Sequence, residues 1–242
     1  MGVANSWVSG FRRWARGNPK PIQPVIGVAL GGGFARGIAH LGVLKVLERH
    51  NIPIHMIAGV SAGAIVAAAY ASGREIHEIA CAGRAMRFKD IAGWSLHPMG
   101  LAGSAPMAEF LTGLLKVYRF EEMRIPLAVV ATDLNDGKPA VFRGQGDVKL
   151  PIRASCSYPG LFQPVLHGDH YLVDGAMTME VPAPALRAMG ATHVIGVSLP
   201  ANGDGFDPRN MFHVINRCFQ IMQTRTEREW RRASSIVLEP AV

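Results

Sequence analysis

Hydrophobic positions set the pattern of the chain from Val25 onward. VIGVAL (25–30) is a continuous apolar run of strand length, GGGFARG (31–37) is a glycine-rich turn, and the next segment places Ile38, Leu41, Val43, Leu44 and Leu47 near helical spacing. The unit then repeats. MIAGV (56–60) predicts a buried strand, Ser61 falls at the turn, and AGAIVAAAYA (62–71) predicts a small-residue helix able to pack closely on a sheet. Residues 75–120 read as helical but irregular, with Gly93, Pro98, Gly100, Gly103 and Pro106 interrupting them, as in a lid. Strands are expected again at LAVVATDL, AVFRG and YLVDG. A helix near Pro184–Met189, a buried strand HVIGVSL, an amphipathic helix from Asn210 to Trp230 and a short strand SIVLE follow. Alternation of this kind predicts an α/β fold around a mostly parallel sheet.

Residues 1–24 stand apart. They carry Trp7, Phe11 and Trp14 among arginines and end in Pro19, Pro21 and Pro24, so a basic N-terminal extension is expected ahead of a domain over 25–242. The extension reads either as a partly ordered tail or as a Trp-bearing foot on a membrane surface. Its arginines are not followed by an apolar run of the secretory kind, so a cytoplasmic location is expected. Met56 to Gly73 is free of charge, yet it is built from Ala, Gly and Ser and broken by Gly59, Ser61 and Gly63, which argues against a membrane span.

Composition narrows the function classes. With 242 residues and 49% hydrophobic content the chain can bury a sizeable core. A net charge of +7 favours acidic partners, either anionic lipid headgroups or nucleic acid. Arg225, Arg228, Arg231 and Arg232 alternate with Glu227 and Glu229, the pattern of a solvated helix face, so no nucleic acid is expected. Cys81, Cys156 and Cys218 have no metal-ligand spacing and are expected as reduced packing residues. Neither a metal nor a cofactor is called for.

Three motifs carry candidate chemistry. Gly59-Val60-Ser61-Ala62-Gly63 is a G-x-S-x-G between a strand and a helix, a sharp turn that exposes the serine hydroxyl at a helix N-terminus. A serine helix cap between two packing glycines would look the same. Gly31-Gly32-Gly33-Phe34-Ala35-Arg36-Gly37 offers backbone N–H groups to an anion, either a pyrophosphate or an acyl-transfer oxyanion. Against the dinucleotide, the next strand ends at Val60 and Ser61, where an acidic residue would be needed to hold the ribose. Asp174 ends the strand YLVDG at a glycine turn and reads as a general base or as an ordinary Asp-Gly turn.

Together, GGGFARGIAHLGVLKVLE, GVSAG and DGA resemble the oxyanion, nucleophile and catalytic-aspartate blocks of the patatin-like phospholipases. ATDLNDG (131–137) and ASCSYPGLFQPV (154–165) are also similar to stretches of bacterial members, so the resemblance covers about residues 25–200. It implies a three-layer α/β/α fold and a Ser61–Asp174 dyad without histidine. It also implies oxyanion donors at the amides of Gly32, Gly33 and Phe34, with Arg36 ordering the loop. Gly59 and Gly63 would frame the nucleophile turn, and Gly175 and Ala176 would follow the base. Two positions depart from the family pattern. Phe34 stands where a third glycine is usual, which leaves the local backbone conformation open, and Ala176 replaces a common glycine.

The implied substrates are acyl esters of phospholipid or lysophospholipid, with Trp94, Leu96, Met99, Leu101, Met107, Phe110 and Leu111 as candidate acyl-chain contacts or simple packing residues. Peripheral contact with an anionic membrane surface fits the charge. The competing enzyme reading is a Ser-His-Asp esterase using His193 or His213, both of which follow Asp174 in the chain. His193 begins its strand and His213 lies on a helix, so both read as structural, and His40 reads as packing. The non-enzyme alternative is a silent scaffold that keeps the fold.

Overall fold

The computed structural model describes residues 24–200 and 208–241. All but the last residue of the extension expected over 1–24 therefore lies outside the described residues. The central sheet is eight-stranded: β1 (Ile26–Leu30), β2 (Met56–Gly59), β5 (Leu127–Asp133), β6 (Pro139–Arg143), β7 (Val165–His167), β8 (His170–Asp174), β9 (His193–Val197) and β10 (Ile236–Leu238). The path runs β10-β9-β1-β2-β5-β8-β7, with β6 also on β5. The five strands from β10 to β5 pair in parallel; β6, β8 and β7 are antiparallel.

Alternation along the strands explains the layers. Val28 and Leu30, Ile57, Leu127 and Val129, and Ile195 and Val197 share one cluster, which also holds Leu41, Leu44 and Leu47 of α1 (Ala39–Arg49) and the alanines of α2 (Ala62–Ala71). Their strand neighbours Ala29, Ala58, Ala128 and Val194 face the other way, against Ala183 and Leu186 of α7 (Ala183–Ala188) and Trp230 of α8 (Met211–Ala233). Because both faces of β2 and β5 are covered, these strands read as unbroken apolar runs. This is the expected mostly parallel α/β/α arrangement. The second face carries mostly alanine, which lets α7 approach closely.

The irregular middle segment differs from its helical expectation. After α3 (Ile76–Ala85) and the short α4 (Phe88–Ile91), an antiparallel hairpin forms from β3 (Gly93–His97) and β4 (Gly100–Gly103), followed by α5 (Ala105–Leu114). The glycines expected to break a helix instead end strands: a Cβ on Gly100 would stand 2.6 Å from Gln163 N. Met107 and Leu111 belong to the core, while Trp94, Met99 and Leu101 are exposed. The remaining helix, α6 (Lys149–Ser155), packs against β5. Cys156 is buried as expected, but Cys81 and Cys218 are exposed and not packing residues.

Candidate active site

Register brings the three motifs together. Gly59 of β2 is level with Val129 of β5, and two residues further along β5 Ala131 is level with Asp174 of the antiparallel β8. Ser61, two residues beyond Gly59, therefore arrives on one flank of β5 and Asp174 on the other. The glycine loop closes the site from the β1 side. A Cβ placed on Gly32 would lie 3.6 Å from Ser61 Cβ and 3.6 Å from Ala176 Cβ.

Ser61 has φ 53° and ψ −125°, a left-handed conformation that costs a non-glycine residue of order 1 kcal/mol or more. The fold enforces it by close approach. A Cβ on Gly59 would stand 2.4 Å from Gly63 O, and one on Gly63 would stand 2.3 Å from Leu30 O. Behind the turn, α2 begins with Ala62, which touches the position a Gly37 side chain would occupy. The serine hydroxyl thus sits at the mouth of a helix N-terminus, where negative charge is favoured.

The glycine loop is tied from three sides. Gly31 N–H donates to Val197 O at 2.9 Å, His40 Nε2–H donates to Gly31 O at 2.8 Å, and Arg36 donates to Pro200 O at 2.6 Å. His40, expected as packing, is a buried brace, and burial lowers its pKa to about 4, which keeps it neutral. Gly32 N–H already donates to Glu180 O at 3.3 Å, while the N–H groups of Gly33 and Phe34 have no partner among the described residues. The free donors are therefore two of the three expected. Phe34 adopts φ 49°, the region a glycine would occupy without strain, and its ring rests on Tyr158 at 4.9 Å. The departure from the family pattern is thus accommodated by a strained backbone and an aromatic contact.

Asp174 is buried. Its N–H donates to Ser157 O at 3.0 Å, its carbonyl accepts from Thr132 Oγ1 at 2.9 Å, and its Oδ1 accepts from Ala176 N–H at 2.9 Å. Desolvation by burial raises the carboxyl from 3.8 to about 7, opposed by the Ala176 N–H and, after it, by the Ser61 hydroxyl. A carboxylate whose pKa sits near neutral is matched to proton transfer. Tyr158, pushed up to about 12 by burial and then by the Asp174 charge, stays protonated beside it.

Sequence reasoning missed the clamp between Ser61 and Asp174. Ser155 Oγ accepts the Ser61 N–H at 2.8 Å and donates to Val130 O at 2.6 Å, while Ser157 O holds the Asp174 N–H. The stretch ASCSYPG thus fixes Ser61 and Asp174 relative to each other; its run of small polar residues was the available signal. Ser155→Ala leaves the Ser61 N–H unpaired beside a strained turn. It is expected to lower kcat by about 10- to 100-fold with KM within about twofold, read by steady-state kinetics on a soluble ester.

A cleft of about 360 Å³ lies over Ser61 and Asp174, lined by Phe34, Tyr158 and Leu199 and covered by Phe219 and Ile221 of α8. Among the described residues, none of the candidates Trp94, Met99, Leu101, Met107, Phe110 and Leu111 lines it, whereas α8 supplies one wall. No histidine lines it among the described residues. His193 bonds Thr192 at the opposite end of its strand, and His213 contacts the Asn210 end of α8.

A family model for "Patatin-like phospholipase" matches residues 28–187. The chain belongs to the patatin-like phospholipase family. It is 31% identical over 189 residues to lysophospholipase NTE1 of Debaryomyces hansenii, covering 74% of this chain and 12% of that protein. It is 29% identical over 207 residues to neuropathy target esterase sws of Drosophila melanogaster, covering 81% and 14%. An uncharacterised NTE family protein of Mycobacterium tuberculosis is 31% identical over 186 residues, covering 76% and 51%. This patatin-like chain spans about half or less of the length of these relatives. Among solved structures, VipD from Legionella pneumophila shares the fold with a TM-score of 0.55 at 14% identity, over 83% of this chain and 52% of that one. No helix among the described residues is long and apolar enough to cross a membrane.

Proposed function

We propose that this chain is a serine acyl hydrolase that cleaves carboxylic esters of phospholipids or lysophospholipids at a membrane surface. One observation carries the reading: a buried carboxylate with its pKa raised to about 7 shares a cleft with a serine held in a strained turn beneath two backbone N–H groups that have no partner among the described residues. Asp174 takes the Ser61 proton as Oγ attacks the ester carbonyl. The oxyanion is held by Gly33 and Phe34 N–H, with Gly32 shaping the loop through its bond to Glu180 and Arg36 anchoring it. The protonated Asp174 returns its proton to the leaving alcohol, then deprotonates the water that releases the fatty acid. The names of the relatives, a lysophospholipase and an esterase, support lipid esters as the substrate class. The dyad needs no histidine, metal or cofactor for these steps.

The test is turnover of a butyrate ester, a long-chain lysophospholipid and a phospholipid by the purified chain beside its Ser61→Ala and His193→Ala variants. Ser61→Ala is expected to lose about a thousandfold or more, and His193→Ala to stay within about twofold. Rates should rise as pH passes through about 7, where Asp174 ionises. Absence of Ser61-dependent turnover on every ester would return the chain to the scaffold reading.

A further inference from the structure

Exposed apolar side chains continue outward from the lip of the cleft. Phe34, at the lip, is 54% exposed. Its ring contact with Tyr158 leads to Phe219 of α8 at 4.9 Å. Tyr158 and Phe162 share a buried cluster, Phe162 lies 6.2 Å from Phe88, and Phe88 lies 5.3 Å from Trp94. An aromatic chain thus joins the cleft to the β3–β4 hairpin, where Trp94 is 73% exposed. On α8, Phe219 and Trp230 face the domain, while Met211, Val214, Ile221 and Met222 are exposed; at 3.6 residues per turn they form a separate stripe beside the buried face. Ile221 also lines the cleft, so stripe and cleft are continuous.

Water-facing turns of an ordinary surface helix would carry charge at these positions. Here the charge lies at the border of the apolar area: Arg225, Arg228 and Arg232 are exposed in the following turns of α8, and Arg87 and Lys89 flank Phe88. Apolar side chains bordered by arginine and lysine match an interface with acyl chains below and anionic headgroups beside them. The net charge of +7 is of the matching sign.

We infer that the outer stripe of α8, Phe34 and Trp94 at the base of the β3–β4 hairpin form the surface on which this chain seats itself on an anionic lipid bilayer, with the Ser61–Asp174 cleft opening toward the lipid. The inference rests on the proposed acyl-ester substrate. It differs from a membrane foot in the N-terminal extension because it places the contact around the cleft itself.

Flotation of the 242-residue Ser61→Ala chain with vesicles tests it, since no lipid is consumed and binding is read apart from hydrolysis. Binding is expected to be weak on phosphatidylcholine alone, to rise with the phosphatidylglycerol fraction, and to fall as salt is raised. Adding Trp94→Ser, Val214→Ser and Met222→Ser together should reduce binding by about tenfold or more. Adding Arg225→Gln and Arg228→Gln should abolish most of its salt dependence. The same substitutions in the Ser61 chain should leave the melting midpoint and turnover of a soluble butyrate ester unchanged. Failure of the Ser61→Ala parent to float with anionic vesicles overturns the inference, as does equal flotation of parent and triple variant. A parent dimer that the triple variant converts to a monomer would assign the stripe to a second copy and also overturn it. Loss of the hydrolase reading is seen separately, as no butyrate turnover by a chain whose Ser61→Ala variant still floats.

Discussion

Replacing Asp174 with asparagine is expected to abolish ester hydrolysis while making the folded chain more stable at neutral and alkaline pH. The catalytic half follows from proton balance: asparagine cannot accept the Ser61 proton, and general-base removal typically costs about a thousandfold. The stability half follows from burial. The folded state raises the carboxyl from 3.8 to about 7, so the native protein binds the proton more tightly than the unfolded chain does. Stability therefore falls as pH rises from about 4 to about 7, and the full penalty persists above. The side chain of asparagine carries no charge, and its Oδ1 can still accept from Ala176 N–H. Its advantage should be near zero below pH 4, grow through that window, and level off above it at about 2–4 kcal/mol, an increase of about 5–15 °C in melting temperature. Melting curves at acid and alkaline pH check this directly. Equal midpoints for the two proteins at alkaline pH would mean that Asp174 is not held ionised at a cost. The site would then lack the base that the proposed mechanism needs.

Such a trade is expected where a fold stores strain at a functional position. The same site holds Ser61 at φ 53° and Phe34 at φ 49°, so Ser61, Asp174 and the glycine loop each depart from their most relaxed state. The surrounding structure over-determines all three: Ser155 and Ser157 from the end of α6, Thr132 from β5, and His40 from α1.

How much of this could be read from the sequence depends on the range of the interaction. The strand-turn-helix units around residues 25–71 were legible because apolar runs, glycine turns and helical spacing are local signals. Ser61, Asp174 and the glycine loop were legible as motifs, and register then brings them to one edge of the sheet. The β3–β4 hairpin was not legible, because its short strands are bounded by the glycines that also break helices. Ser155 was visible only as part of a family-like stretch, since its bond to Ser61 spans 94 positions and leaves no periodic trace. The donors of the glycine loop could be counted only in the folded chain. There the contact with Glu180 reveals that the Gly32 N–H is already engaged. The amphipathic pattern of α8 was visible, but that it supplies one wall of the cleft depends on where Phe219 and Trp230 dock.

Gly63→Ala is expected to unfold or misassemble the site, whereas Gly42→Ala should be neutral or mildly stabilising. Both glycines lie in helices, so propensity alone would favour alanine at each by up to about 1 kcal/mol. Gly63 differs in what surrounds it. An added Cβ would stand 2.3 Å from Leu30 O, 2.5 Å from Gly31 O and 2.7 Å from Leu30 C, all backbone atoms at the end of β1 and the start of the glycine loop. No flexible side chain is there to yield, so α2 and the loop must separate. That separation draws the Gly33 and Phe34 donors away from Ser61. The overpacking is expected to cost about 3 kcal/mol or more, lowering the melting midpoint by about 6–12 °C, with hydrolysis lost even in the fraction that folds. Gly42 lies on the exposed side of α1, and a Cβ added there would meet nothing within 4 Å. Its alanine variant should keep full activity and gain a few tenths to about 1 kcal/mol. An active, stable Gly63→Ala enzyme would show that the close contact between the two βα turns is not what holds donor and nucleophile together.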